Sequence, residues 1–471
     1  MGNDGIGSIA IWGIAVEAGS FGRHRRKIAP FAPGSTPWTD DEFAALSRDA
    51  RLKAAGLNQH AIGYGALAEA EWAAAGLPEP DLAAMRATRL ARIRVALAAQ
   101  DYCGILLYDP LNIRYAGDHT NMQLWTAHNA SRYLFVATDG PVVLFEFQNC
   151  FHLSDHTGTI DEVRPAKSWI YMFTGELTPG GARDWAGDIL DLVASHGGGN
   201  RRLAVDHLDP PGAAALTAGG LTVHSGEAVM ERVRMIKTEP ELACMRRAIH
   251  ACEQAIGTME ATLEPGISEN ELWALLHHGN IVRGGEWIET RLLTSGPRTN
   301  PWFQESSARV IEDGDLVAFD TDLIGPYGYC CDISRTWLAG DGVPTDEQRS
   351  LYHLAADQVA ANTALLGPGV TLRELCEKAV LPPPDCRPNR YGVLYHGVGL
   401  CDEYPSVYHP EDWGPNAPDD MLLPGMVICV ESYTGRLGGR EGVKLEDQVL
   451  ITATGRQVLS TYPLDERLGA D

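Results

Sequence analysis

The sequence predicts an α/β (α+β) protein of two domains with an internally duplicated C-terminal half, and three observations point there. Strand-like apolar runs alternate with helical patterns from about residue 82 onward. The segments LEPGISENEL (263–272) and LGPGVTLREL (366–375) repeat one pattern, each behind a long amphipathic helix. A chain of 471 residues, 45% apolar and 21% charged, is long enough for two cores in an ordinary globular balance.

Taken in order, residues 1–75 are punctuated by Gly and Pro, then rich in Ala, and read as an N-terminal extension. Within it GIGSIAIWGIAVEAGSFG (5–22) has the apolarity of a signal-peptide core. Asp4 precedes it and RHRRK (23–27) follows it, the reverse of the usual charge order. A docked arm or a dimer contact is the expectation. Residues 76–236 form a smaller α/β domain. A helix from about 82 leads into YCGILLYDPLNIRYAG, where a short strand ends at Asp109-Pro110 because proline cannot continue a ladder. RYLFVATDGPVVLFEF sets Asp139-Gly140 between two strand halves, a hairpin. Residues 237–471 form the C-terminal domain, opening on a helix over KTEPELACMRRAIHACEQAIGTMEATLEPG. In the repeat, Ser268 with Glu271 and Thr371 with Glu374 spell capping boxes at two helix starts. The duplication predicts two helix-plus-sheet halves facing each other across a shared site.

Composition removes several classes of function. A net charge of −24 argues against a nucleic-acid partner, whose phosphates need a basic surface. No run of eighteen apolar residues exists, so no membrane span is expected. The ten cysteines follow no repeating CxxC pattern and read as reduced thiols of a cytoplasmic protein.

The chemistry gathers in the C-terminal half. LVAFDTDLIGPYGYCCDISRTW (316–337) carries Asp320, Asp322 and Asp332 on two apolar runs that read as a hairpin. There residues ten apart can sit opposite one another, and strand alternation puts Asp320 and Asp322 on one face. LYHGVG contributes His396, MVICVESYTG ends an apolar strand with Glu431, and GVKLEDQVLIT interrupts another with Glu446. Each acid alone reads as an exposed strand residue or a turn cap. Burying them together is costly without cations among them. One imidazole plus several carboxylates suits a dinuclear site for Mn, Fe, Co or Zn.

These segments resemble the pita-bread fold of the creatinase/methionine aminopeptidase/prolidase superfamily. The resemblance runs through KTEPELACMRRA, LEPGIS, TSGPRTN, IEDGDLVAFDTD, CDISRTW, HGVGL, PGMVICVE and GVKLEDQVLIT. YDPLNIRYAGDHT similarly resembles the smaller domain of creatinase and prolidase. The resemblance implies metal ligands at Asp320 or Asp322, then Asp332, His396, Glu431 and Glu446. It also exposes two departures. Family peptidases carry a histidine after the SGP segment, where this chain has RTNPWFQES. They carry another about seven residues after the metal histidine, where this chain has Glu403. Those histidines serve the scissile amide and its tetrahedral intermediate, so hydrolysis is disfavoured.

Within the superfamily, DPLNIRYAGDHTNMQLWTAHN (109–129), FDTDLIGPYGYCCDISRTW and HGVGLCDEYP resemble the dimethylsulfoniopropionate lyases. That likeness implies cleavage of this small zwitterionic sulfonium into dimethyl sulfide and acrylate. It implies two divalent metal ions with iron the expected one, Asp402 as the base, and Trp125 and Tyr391 as substrate contacts. A homodimer is the family expectation. The rival readings are an Xaa-Pro dipeptidase-like metallohydrolase and a non-enzymatic binding module on the same fold.

Overall fold

The computed structural model describes residues 62–469, so the segments at 5–22 and 23–27 lie outside the described residues. All the described residues fall within one compact unit. That unit takes in residues 62–75, which composition alone leaves in the extension. The helix Ala66–Ala74 buries Trp72, whose Nε1 donates to the Arg247 carbonyl at 3.0 Å.

The N-terminal part is one six-stranded sheet in the order β4-β3-β2-β1-β5-β6. Its strands are β1 (Gly104–Leu107), β2 (Tyr133–Ala137), β3 (Val142–Glu146), β4 (Glu162–Pro165), β5 (Arg202–Val205) and β6 (Thr222–Ser225). The expected hairpin is β2–β3, antiparallel, with Val136 opposite Val142 at its closed end. The strand before Asp109-Pro110 stops where expected, and the same residues start a helix. Asp109 Oδ1 accepts from Leu111 N at 2.8 Å, and Pro110 takes the first position of the helix Pro110–Gly117, where its missing N–H costs nothing. Side chains alternate across the sheet with period two. Ile105, Leu107, Leu134 and Val136 join a core shared with the C-terminal half, whereas Leu106, Phe135 and Phe145 pack with Trp169 and Trp185.

The C-terminal half starts at the helix Glu239–Thr262, capped by a box between Thr238 and Glu241. Both capping boxes of the repeat form. Ser268 opens the helix Glu269–Ile281, and Thr371 opens Leu372–Lys378. Each box follows a long helix, Glu239–Thr262 in one case and Asp346–Leu365 in the other. Each capping residue also makes an isolated bridge, Ser268 to Val310 and Thr371 to Met421. The duplication is thus one of backbone arrangement as well as sequence.

Three sheets complete this half. One holds β7 (Trp287–Ile288), β10 (Leu323–Ile324) and β11 (Cys330–Cys331); a second holds β8 (Leu293–Ser295), β9 (Leu316–Asp320) and β12 (Ser334–Leu338). The third runs β14-β13-β15-β16-β17, with β13 (Tyr395–Val398), β14 (Asp402–Val407), β15 (Val427–Gly435), β16 (Gly442–Thr452) and β17 (Gly455–Val458). The sequence expects β15 to end at Glu431, yet it continues to Gly435. Its later polar residues are buried and satisfied by the helix behind: Ser432 Oγ bonds Gln358 Oε1 at 2.7 Å and Thr434 Oγ1 donates to Leu351 O at 2.8 Å. Thr336 Oγ1 on β12 donates to Lys444 O on β16 at 2.9 Å, tying the two halves together beside the acids. Among the described residues, no helix is long and apolar enough to cross a membrane.

Candidate metal centre

β9 is buried along its length and delivers Asp320 opposite Ser334 on β12. The chain then leaves the ladder. Asp322 adopts a left-handed φ of 36° before β10 begins, so simple strand alternation does not place it. Asp332 stands in the matching break between β11 and β12. Carboxylate oxygens of Asp320, Asp322 and Asp332 all lie within 4.8 Å of one another, so both members of the doubtful pair face Asp332. Thr290 Oγ1 steadies Asp322 with a hydrogen bond to Oδ2 at 2.7 Å.

The other half supplies the remaining donors. Glu431 and Glu446 are direct cross-strand partners on β15 and β16, an arrangement that like charges destabilise. His396 on β13 points its Nε2 at them, 3.2 Å from Glu431 Oε1 and 3.6 Å from Glu446 Oε1, and 3.4 Å from Asp332 Oδ2. Asp320, Asp332, Glu431 and Glu446 are each 2% exposed or less.

Burial and crowding show in the acidities. Burial, then Glu446, Asp322 and Asp320, hold the Asp332 carboxyl well above the usual range. Burial and the facing Glu446 push Glu431 up to about 7. Asp332 Oδ1 and Glu446 Oε1 are buried without a hydrogen-bond partner. Orphaned carboxylate oxygens beside an imidazole are what divalent cations would occupy, so this donor set fits two of them.

Sequence reasoning missed the cation already present. Lys444 is fully buried, with Nζ 2.6 Å from Glu431 Oε2, 2.9 Å from Glu446 Oε2 and 3.1 Å from Asp320 Oδ2. The signal was readable: Lys444 and Glu446 are two apart on one strand and therefore share a face.

Asp402 opens β14 at the rim. Its side chain is 56% exposed, and Oδ1 lies 3.6 Å from His396 Nδ1. Desolvation by the surrounding protein raises its pKa, His396 opposes the rise, and Glu446 and Asp320 add to it. Glu403, the next residue, turns the other way. Its carboxylate is buried against Lys237 Nζ at 2.9 Å and Arg234 Nε at 3.2 Å, and accepts from Leu400 N at 3.1 Å. The position seven after His396 is therefore a carboxylate matched by its own ion pairs, outside the cluster.

The two aromatic contacts fall in different places. Tyr391 lies beside the cluster, its ring centroid 4.5 Å from Lys444 Nζ. Trp125 is on the helix Gln123–His128, 5.7 Å from the Phe147 ring, and lines a cleft of about 820 Å³ with Arg86, Arg114 and His156. Its ring contacts, with Phe147 and Phe173, include no residue of the acidic cluster.

Known proteins resolve the family. Dimethylsulfoniopropionate lyase DddP of Roseovarius nubinhibens is 46% identical over 416 residues, covering 87% of this chain and 93% of the relative. The chain belongs to the DddP family. DddP of Roseobacter denitrificans is 43% identical over 417 residues, covering 88% of this chain and 93% of its own length. The family model for metallopeptidase family M24 matches residues 243–453, which hold every residue of the acidic cluster described above. An Xaa-Pro dipeptidase of Pyrococcus furiosus is more distant, 29% identical over 239 residues and covering 49% of this chain and 65% of its own. The prolidase structure from Pyrococcus horikoshii shares the fold, with a TM-score of 0.64 at 20% identity, covering 80% of this chain and 99% of that one.

Proposed function

We propose that the chain is a metal-dependent carbon–sulfur lyase that splits dimethylsulfoniopropionate into dimethyl sulfide and acrylate. The observation that carries this is the 43–46% identity, over nearly the whole chain, to two lyases of that name. The geometry agrees, because the position of the second peptidase histidine is spent on the Glu403 ion pairs.

Asp320, Asp322, Asp332, His396, Glu431 and Glu446 would hold two divalent ions, iron being the proposed metal. When bound, they supply Lewis-acid stabilisation of the negative charge that builds on the substrate carboxylate. Asp402 takes the proton from the carbon beside that carboxylate. The C–H electron pair becomes the new C=C bond, and the C–S pair leaves on sulfur as neutral dimethyl sulfide. A carboxylate of ordinary pKa, about 4, is a weak base for such a proton, so the step would depend on the ions' stabilisation of the developing charge. Its exposure then lets the proton pass to water. Tyr391, beside the cluster, and Trp125 are proposed as the substrate contacts. A homodimer and a cytoplasmic address complete the reading; the ten free cysteines support the address.

The test incubates metal-loaded protein with dimethylsulfoniopropionate and measures headspace dimethyl sulfide, with an Xaa-Pro dipeptide in parallel. Dimethyl sulfide above the metal-stripped control is expected. Proline release without dimethyl sulfide would put the dipeptidase reading in its place.

A further inference from the structure

We propose that Phe303 is a specificity-determining residue of this site, an aromatic face that receives the methylated sulfonium end of the substrate beside Tyr391. The proposal rests on the lyase reading and adds to it the residue that selects the cation.

Phe303 is 59% exposed, although its neighbour Trp302 is buried and packs on Tyr433. Its backbone holds a φ of 70°, a left-handed conformation that non-glycine residues rarely adopt and that the surroundings must enforce. They do so from both sides. Asn300 Nδ2 donates to Arg436 O at 2.8 Å and Gly439 O at 3.0 Å, and Gln304 Nε2 donates to Arg298 O at 3.0 Å and Pro301 O at 3.1 Å. A large apolar ring is thus held out in solvent by an anchored loop.

The ring has a defined neighbour. It stacks on Tyr391 with centroids 5.0 Å apart and planes 22° apart. Tyr391 in turn lies 4.5 Å from Lys444 Nζ, which bonds Glu431 and Glu446 of the cluster. Phe303 and Tyr391 therefore form an aromatic wall that begins at the metal cluster and ends in solvent. Phenylalanine can neither donate nor transfer a proton, so its contribution is its π face. A sulfonium, a weakly hydrated cation, is attracted to such a face, whereas the acids alone would attract any cation. A zwitterion bound with its carboxylate at the cluster would turn its sulfonium end toward this wall.

The test uses two turnover-resistant ligands of one shape: 3-(trimethylammonio)propanoate and its isostere 4,4-dimethylpentanoate, whose head carries no charge. Calorimetry on metal-loaded protein gives the ratio of their affinities. Phe303→Leu keeps an apolar side chain and removes the π face, so the preference for the cation should fall about 2- to 30-fold. Phe303→Tyr should retain it, and metal content should be unchanged in both. An unchanged ratio in Phe303→Leu overturns the proposal. Dimethyl sulfide release by the wild type is read separately: its absence sinks the lyase reading, while the affinity ratio still decides Phe303.

Discussion

A buried acid and a buried group of acids lie on either side of the start of β14, and they are neutralised differently. Glu403 is matched within the chain by Lys237, Arg234 and a backbone N–H. Burial alone would raise its pKa, but Lys237 and Arg234 outweigh it and the carboxyl is held low. In the cluster, Asp320, Asp332, Glu431 and Glu446 share one lysine and one histidine. Asp332 and Glu431 are pushed up, and two of the oxygens have no partner. A buried charge neutralised by its own chain is structure. A buried charge left short of cations is a binding site.

That contrast can be broken at several points. The largest effect is expected from Asp332→Ala, which should cost the protein its metal and at least about 10³-fold in dimethyl sulfide release, since Lewis-acid stabilisation is worth several kcal/mol. Metal analysis and headspace assay on one preparation check both halves. Asp402→Ala should lower turnover by about 10²–10⁴-fold while metal content stays near wild type. Metal loss there would make Asp402 a ligand or a structural residue and would remove it as the base.

Glu403→Gln leaves Lys237 without its counter-ion and Arg234 with Glu231 alone, and should cost about 3–5 kcal/mol of stability at neutral pH, with metal retained. Its pH dependence has a definite sign. Because the folded carboxyl is more acidic than the unfolded one, its contribution is full above about pH 4.3 and fades as pH falls through the folded value. Melting curves of wild type and variant should therefore converge in acid; a gap that stays constant to low pH would mean the ion pairs are not its source. The smallest effect should come from Thr371→Ala, about 0.5–2 kcal/mol, because that capping box is only part-buried. It serves as a control that burial sets the larger losses.

The sequence was most legible where function and local rule coincide. The capping boxes at Ser268 and Thr371 form as spelled, and the Asp139-Gly140 hairpin closes as expected. The ordered acids and His396 converge, because such residues inside apolar strands have few other reasons to be there. Asp109-Pro110 carried a second meaning, since a strand breaker is also a good helix start. Glu431 misled, because the polar residues after it looked like a strand end and were instead bonded to a helix.

By itself, then, the sequence determined the elements, the duplication and which side chains are costly to bury, because these follow from periodicity, capping and charge in adjacent residues. Only the tertiary structure decided which acids remain short of cations. Lys444 reaches Asp320 across more than a hundred residues of chain, and Lys237 reaches Glu403 across more still. Neutralisation depends on distances of about 3 Å, and no local pattern carries those.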